Sequence, residues 1–191
     1  MDYGFDQYPI FDPTFIQDLL ESDKHVRRVA QRLRDSLGVD GPPVEVLELQ
    51  IRSPVFEFRD DGDLRVGGKR VECKRRNLRF SGPDDFPFPT CIVDVTHTYD
   101  AARATETPIV GYVIDSQNEM GCVCVLSSTF DRWRVRTRYD RAKQRHRRFY
   151  EVDTSLLCTF DDLVVELVGG MPPLPPDVVP RPVCFFEQFR D

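Results

Sequence analysis

Residues 63–74 read "DLRVGGKRVECK", and this short stretch brings together two carboxylates, Asp63 and Glu72, and one lysine, Lys74. Carboxylate oxygens are hard ligands of the kind that Mg²⁺ takes. An ammonium beside them can stabilise negative charge as it builds on a reacting group. Residues of these types suit metal-assisted hydrolysis, provided the backbone carries all three to one place.

The backbone that would do so is a hairpin. With Gly67-Gly68 as a two-residue turn of the primed kind, Val66 faces Lys69, Arg65 faces Arg70, Leu64 faces Val71 and Asp63 faces Glu72. Alternation then puts Leu64, Val66, Val71 and Cys73 on one face, and Asp63, Arg65, Arg70, Glu72 and Lys74 on the other. Directly opposed, Asp63 and Glu72 would hold their Cβ atoms about 5 Å apart, a like-charge pair that costs stability. Two answers to that repulsion stand open: a divalent cation between the acids, or neutralisation by Arg65, Arg70 and Lys74. On the first, Glu72→Gln is expected to leave the metal-free protein at least as stable as before.

Other elements must support the hairpin. Asp12 and Pro13 mark a helix start, and Val26, Val29, Leu33 and Leu37 form its apolar stripe, with "ESD" at 21–23 as an expected break. "VEVLELQI" at 44–51, "VFEFR" at 55–59, "CIVDV", "PIVGYVI" and "CVCVL" have the composition of strands. "TFDDLVVELVGG" at 159–170 reads as a helix with a Thr159 cap and a glycine stop. The pattern is mixed α/β, a single domain over 1–170 followed by a Pro-rich tail over 171–191 whose "CFFEQF" could dock a partner.

Charge is distributed in islands. The formal net charge of −6 hides six of the 26 Lys and Arg residues within 69–79 and nine more within 132–148, leaving 11 basic residues against 30 acidic ones elsewhere. A polyanion meets the local field, not the total. In "RWRVRTRY" Arg132, Arg134, Arg136 and Arg138 alternate, so a strand there would line guanidiniums along one face about 6.7 Å apart. Lys143, Arg145, Arg147 and Arg148 follow directly. A solvated face against an acidic neighbour is the plain alternative. With 40% hydrophobic and 11% aromatic residues the chain can bury one core, and it has no apolar run of membrane-spanning length, which makes a cytoplasmic protein the expectation. Six scattered cysteines fit buried thiols better than a zinc site. His25, His97 and His146 lack a Ser or Cys at a telling spacing, so no covalent nucleophile stands out.

Asp63, the hairpin and "ECK" together resemble the D…(D/E)-x-K signature of the PD-(D/E)XK nuclease superfamily, which includes restriction endonucleases, Holliday-junction resolvases and phage-type nucleases. Gly62 stands where the nominal proline would be, and "THTYDAARATETP" at 96–108 is short for the second core helix. The resemblance implies a restriction-endonuclease-like core, a mixed central β-sheet flanked by helices, and an Mg²⁺-dependent nuclease in which Mn²⁺ substitutes. It implies that Asp63, Glu72 and the Cys73 carbonyl hold the metal, with Glu21 of the first helix as a further ligand, and that Lys74 acts on the attacking water. DNA rather than RNA is the implied substrate, and a homodimer is compatible with it; the charge islands offer Arg70, Arg75, Arg76, Arg132, Arg134, Arg136, Arg138, Lys143, Arg145, Arg147 and Arg148 as its contacts. The competing reading is a nucleic-acid-binding module, or a degenerate member of the superfamily, that keeps the hairpin without hydrolysis.

Overall fold

The computed structural model describes residues 13–47, 50–52, 57–59, 63–117, 121–140 and 144–169. The Pro-rich tail lies outside the described residues, as does Lys143. A helix, α1 (Pro13–Leu37), leads into three-residue strands β1 (Val44–Val46), β2 (Gln50–Arg52), β3 (Glu57–Arg59) and β4 (Leu64–Val66), then the longer β5 (Lys69–Arg75). Next come β6 (Thr90–Val95), α2 (Thr96–Arg103), β7 (Ile109–Asp115) and β8 (Cys122–Leu126). The described chain closes with β9 (Arg134–Asp140), β10 (Arg145–Asp153) and α3 (Phe160–Val168).

Five strands form a mixed sheet in the order β1-β4-β5-β7-β8. Its pairs are antiparallel except β5 with β7, which run parallel. A parallel pair needs a crossover, and the chain between β5 and β7 supplies one through β6 and α2. The crossover strand joins a second sheet, β6-β10-β9, while β2 and β3 pair with each other.

Each face of the main sheet has its own core. Leu64, Val66, Val71 and Cys73 pack with Val26, Val29, Ala30 and Leu33 of α1 and with Phe160, Leu163 and Leu167 of α3. The helical stripe read from the sequence is therefore the buried one, with Leu37 packed partly against it. Tyr112, Ile114, Val123 and Val125 turn the other way, onto Cys91 and Val93 of β6, Val152 of β10 and Tyr99 of α2.

Three expectations change at this level. The first helix runs unbroken through 21–23 and on into a buried face, His25 to Leu33, that packs against the sheet. The apolar run at 44–51 is two strands in different sheets: Leu47 donates its N–H to the Asp63 carbonyl at 3.0 Å as β1 ends, and the chain then pairs with β3. Sequence pattern does not decide between helix and loop over 140–148; the part from Arg145 onward is the start of β10. As expected, Thr159 caps α3 and Gly169 ends it, and Asp162 completes a capping box with Thr159. None of the described helices is long and apolar enough to cross a membrane.

Candidate active site

The β4–β5 hairpin has the register expected of its turn. Leu64 faces Val71, Arg65 faces Arg70 and Val66 faces Lys69. Gly67 and Gly68 take φ of +53° and +84°, the left-handed region that a primed turn demands at both positions. Lys69, just past the turn, points its Nζ at the carbonyls of Glu166, Leu167 and Gly169 at 3.1, 2.8 and 3.0 Å. A cation there caps the C-terminal end of α3 and ties it to the hairpin.

The charged face of β5 is enclosed. Arg70 and Glu72 are 7% and 6% exposed, and Arg70 Nη2 donates to Glu72 Oε1 at 3.2 Å. Asp63 Oδ2 accepts the backbone N–H of Cys73 at 2.7 Å. The repulsion foreseen between Asp63 and Glu72 is thus met from within: one acid has a guanidinium, the other an amide donor. Arg70 Nε is buried without a hydrogen-bond partner among the described residues, so Arg70 is an interior group and not part of a surface patch.

Lys74 meets a third acid. Its Nζ lies 3.5 Å from Asp94 Oδ2, on β6, and 5.8 Å from the centre of the Tyr112 ring. Tyr112, opposite Glu72 in the parallel β5–β7 register, donates its hydroxyl to Asp94 Oδ2 at 3.1 Å. Burial works to discharge the Lys74 ammonium, but Asp94, then Glu72 and Asp63, outweigh it, and its pKa is held above the ordinary lysine value. Burial, followed by the charges of Asp94 and Glu72, pushes the Tyr112 phenol well up, so it remains a donor. Two ion pairs thus sit side by side among the described residues, Arg70 with Glu72 and Lys74 with Asp94.

Sequence reasoning brought Asp63, Glu72 and Lys74 together but missed Asp94 and Tyr112. A signal for Asp94 existed, an acid inside the apolar run "CIVDV", since a charge on a buried strand needs a partner. Glu21 reaches a different face. It pairs with Arg75 Nη1 at 3.3 Å, and Arg75 alternates with Lys74 toward the α1 side of the sheet. Arg75 also donates to the Gln117 carbonyl at 3.4 Å, and Arg76 to the Ile92 carbonyl at 2.6 Å. These two arginines, proposed from sequence as nucleic-acid contacts, make internal bonds.

Among the described residues no three side chains of His, Cys, Asp and Glu converge closely enough to hold a metal ion. The ligand set implied by the sequence is two carboxylates, Asp63 and Glu72, and the Cys73 carbonyl. By donor chemistry these hard oxygens fit a divalent cation.

The second basic island forms a ribbon. β9 and β10 pair antiparallel with Arg134 opposite Glu151, Arg136 opposite Phe149, Arg138 opposite Arg147 and Asp140 opposite Arg145. Arg132 lies in the short 3-10 segment before β9 and is exposed. Every residue of β9 from Arg134 to Tyr139 is exposed. Arg138 pairs with Glu151 through Nε, and its Nη2 donates to Oε2 at 3.0 Å, while Arg147 pairs with Asp140 at 2.8 Å.

The class that this fold defines is a mixed α/β protein with an internal charged corner and a projecting basic ribbon. No protein-family model, curated protein or solved structure matches the chain.

Proposed function

We propose that the protein is a divalent-metal-dependent nuclease that hydrolyses phosphodiesters of DNA, with Asp63, Glu72 and Lys74 at its centre. The observation that carries this reading is the hairpin geometry: Glu72 and Lys74 alternate onto one face of β5, Asp63 accepts the Cys73 amide between them at 2.7 Å, and Asp94 lies 3.5 Å from the Lys74 ammonium. The mixed sheet with helices packed on it, in which β5 and β7 run parallel, supports it as well, since the resemblance implies a mixed central sheet flanked by helices. Asp63, Glu72 and the Cys73 carbonyl would hold the cation, which when bound polarises the phosphate and lowers the pKa of a ligated water.

The chain's own residues supply the rest. Lys74 is charged at neutral pH, so its role is to stabilise negative charge on the phosphoryl oxygens rather than to accept a proton. Asp94 fixes Lys74 by ion pairing and is itself fixed by the Tyr112 hydroxyl. Arg70 orients the Glu72 carboxylate.

One observation favours a second reading, a DNA-binding module without hydrolysis. Arg70 and Lys74 already neutralise Glu72 and Asp94 in place. Incubation of labelled DNA with Mg²⁺, and with chelator as control, separates the two. Lys74→Ala is expected to lower the cleavage rate by about 10²–10³-fold, the loss typical of one preorganised charge-stabilising donor. Cleavage by Lys74→Ala at the wild-type rate removes the site assignment, and absence of any Mg²⁺-dependent cleavage by the wild type leaves the binding module.

A further inference from the structure

We infer that the β9–β10 ribbon enters the major groove of double-stranded DNA and contacts phosphates on both of its walls. This deepens the nucleic-acid reading above and rests on it.

The ribbon is two-stranded where it projects. β6 pairs with β10 from Phe149 to Asp153, so among the described residues Thr137–Asp140 and Arg145–Arg148 have each other alone. A register shift between Tyr150 and Glu151 disturbs the β10–β6 pairing two residues before it ends at Phe149. Two paired strands are about 5 Å apart between backbones, a width that the major groove of B-form DNA, about 12 Å across, admits.

Cations stand on both faces. Arg136 and Arg145 share the face of Arg138, whereas Arg148, opposite Thr137, projects from the other. All three are exposed, and no ion pair holds them among the described residues. A strand laid along a single phosphate backbone would need charge on one face. Charge on two faces fits a ribbon flanked by two backbones.

A single strand fits less well, because sequence-tolerant single-strand binding stacks successive bases on exposed aromatic rings. Tyr139 is the one Phe, Tyr or Trp among the described residues of the projecting part, and it already stands edge-on to His146 at 5.3 Å. A-form RNA is excluded by shape, since its major groove is too narrow for side chains to read.

The root of the ribbon leads back to the charged corner. Tyr150 lies opposite Asp94 in the β10–β6 pairing and donates its hydroxyl to Asp100 of α2 at 2.7 Å. Its ring packs against Tyr99, Phe130 and Trp133. DNA gripped by the ribbon therefore approaches the body beside the strand that carries Asp94.

Fluorescence anisotropy tests this in chelator, where cleavage plays no part. The probes are a fluorescein-labelled DNA duplex of about two helical turns, its single strand and the matching RNA duplex. Duplex DNA is expected to bind about tenfold or more tighter than either of the others. Arg136→Ala, Arg145→Ala and Arg148→Ala should each weaken duplex binding and make the slope of log affinity against log salt shallower by about 0.9. Equal or tighter binding of the single strand overturns the inference. So does wild-type affinity and slope in Arg148→Ala, which would reduce the ribbon to a one-sided track. Duplex binding of the expected kind without Mg²⁺-dependent cleavage leaves the ribbon standing and removes hydrolysis. Cleavage by ribbon variants that bind as the wild type does the reverse.

Discussion

Two stretches of nearly equal basic character have opposite fates in this molecule. Between Lys69 and Arg76 the cations turn inward: Lys69 caps α3, Arg70 holds Glu72, Lys74 meets Asp94, and Arg76 bonds the Ile92 carbonyl. Between Arg134 and Arg148 they turn outward, and only Arg138 and Arg147 form ion pairs among the described residues. Position in the sheets makes the difference. β5 is a central strand covered on both faces, whereas β9 is an edge strand open on both. A buried cation needs a partner and an exposed one does not, so the same residue type is structural in one region and available to a polyanion in the other.

The largest effect that could break this comparison is expected at Glu72. Glu72→Gln leaves the Arg70 guanidinium enclosed without its carboxylate, and loss of one partner of a buried pair costs about 3–5 kcal/mol. A lower urea midpoint in the metal-free protein is the predicted result, opposite in sign to the expectation from a bare pair of opposed acids. A midpoint at or above that of the wild type would mean that repulsion from Asp63 outweighs the ion pair.

A smaller effect is expected at Asp115, where β7 ends. Its Oδ2 accepts from Arg28 at 2.8 Å and lies 3.2 Å from His25 Nδ1. Burial alone would raise its pKa, but the hydrogen bonds from His25 and Arg28 prevail and hold the carboxyl below its ordinary value. A depressed folded-state pKa contributes stability that is fully present above the unfolded value of about 3.9 and disappears as pH falls through the folded one. Asp115→Asn should therefore cost on the order of 1–3 kcal/mol at neutral pH, as for a buried donor left unsatisfied. The gap from wild type should close in strong acid. Urea titrations of both proteins across that range check it, and a gap independent of pH would show that shape rather than charge is what the mutation removes.

The smallest effect sharpens the contrast from the other side. Arg136→Ala combined with Arg145→Ala should move the thermal stability by no more than about 0.5 kcal/mol, because both side chains are solvated. A larger loss in a thermal melt would place these arginines with the structural cations of β5.

Much of the candidate site was legible along the chain because the information is local. A glycine pair that tolerates positive φ fixes the turn, the turn fixes the register, and register with alternation puts Glu72 and Lys74 on one face and Val71 and Cys73 on the other. The helical stripe of α1 and the capping box of α3 are equally local patterns. What the chain alone did not reveal was whether the charged face of the hairpin meets water or protein. That depended on β6 crossing over to bring Asp94 to Lys74, and on β7 setting Tyr112 beside Glu72. It also depended on Arg70 folding inward and on Arg75 facing α1, where Glu21 waits. Alternation assigns a side chain to a face of a strand, but the partner of that face comes from residues distant in sequence, and burial decides whether a charge is a structural tie or a free contact. Only the tertiary structure made that decision here, enclosing one basic island between two layers and leaving the other on an open edge.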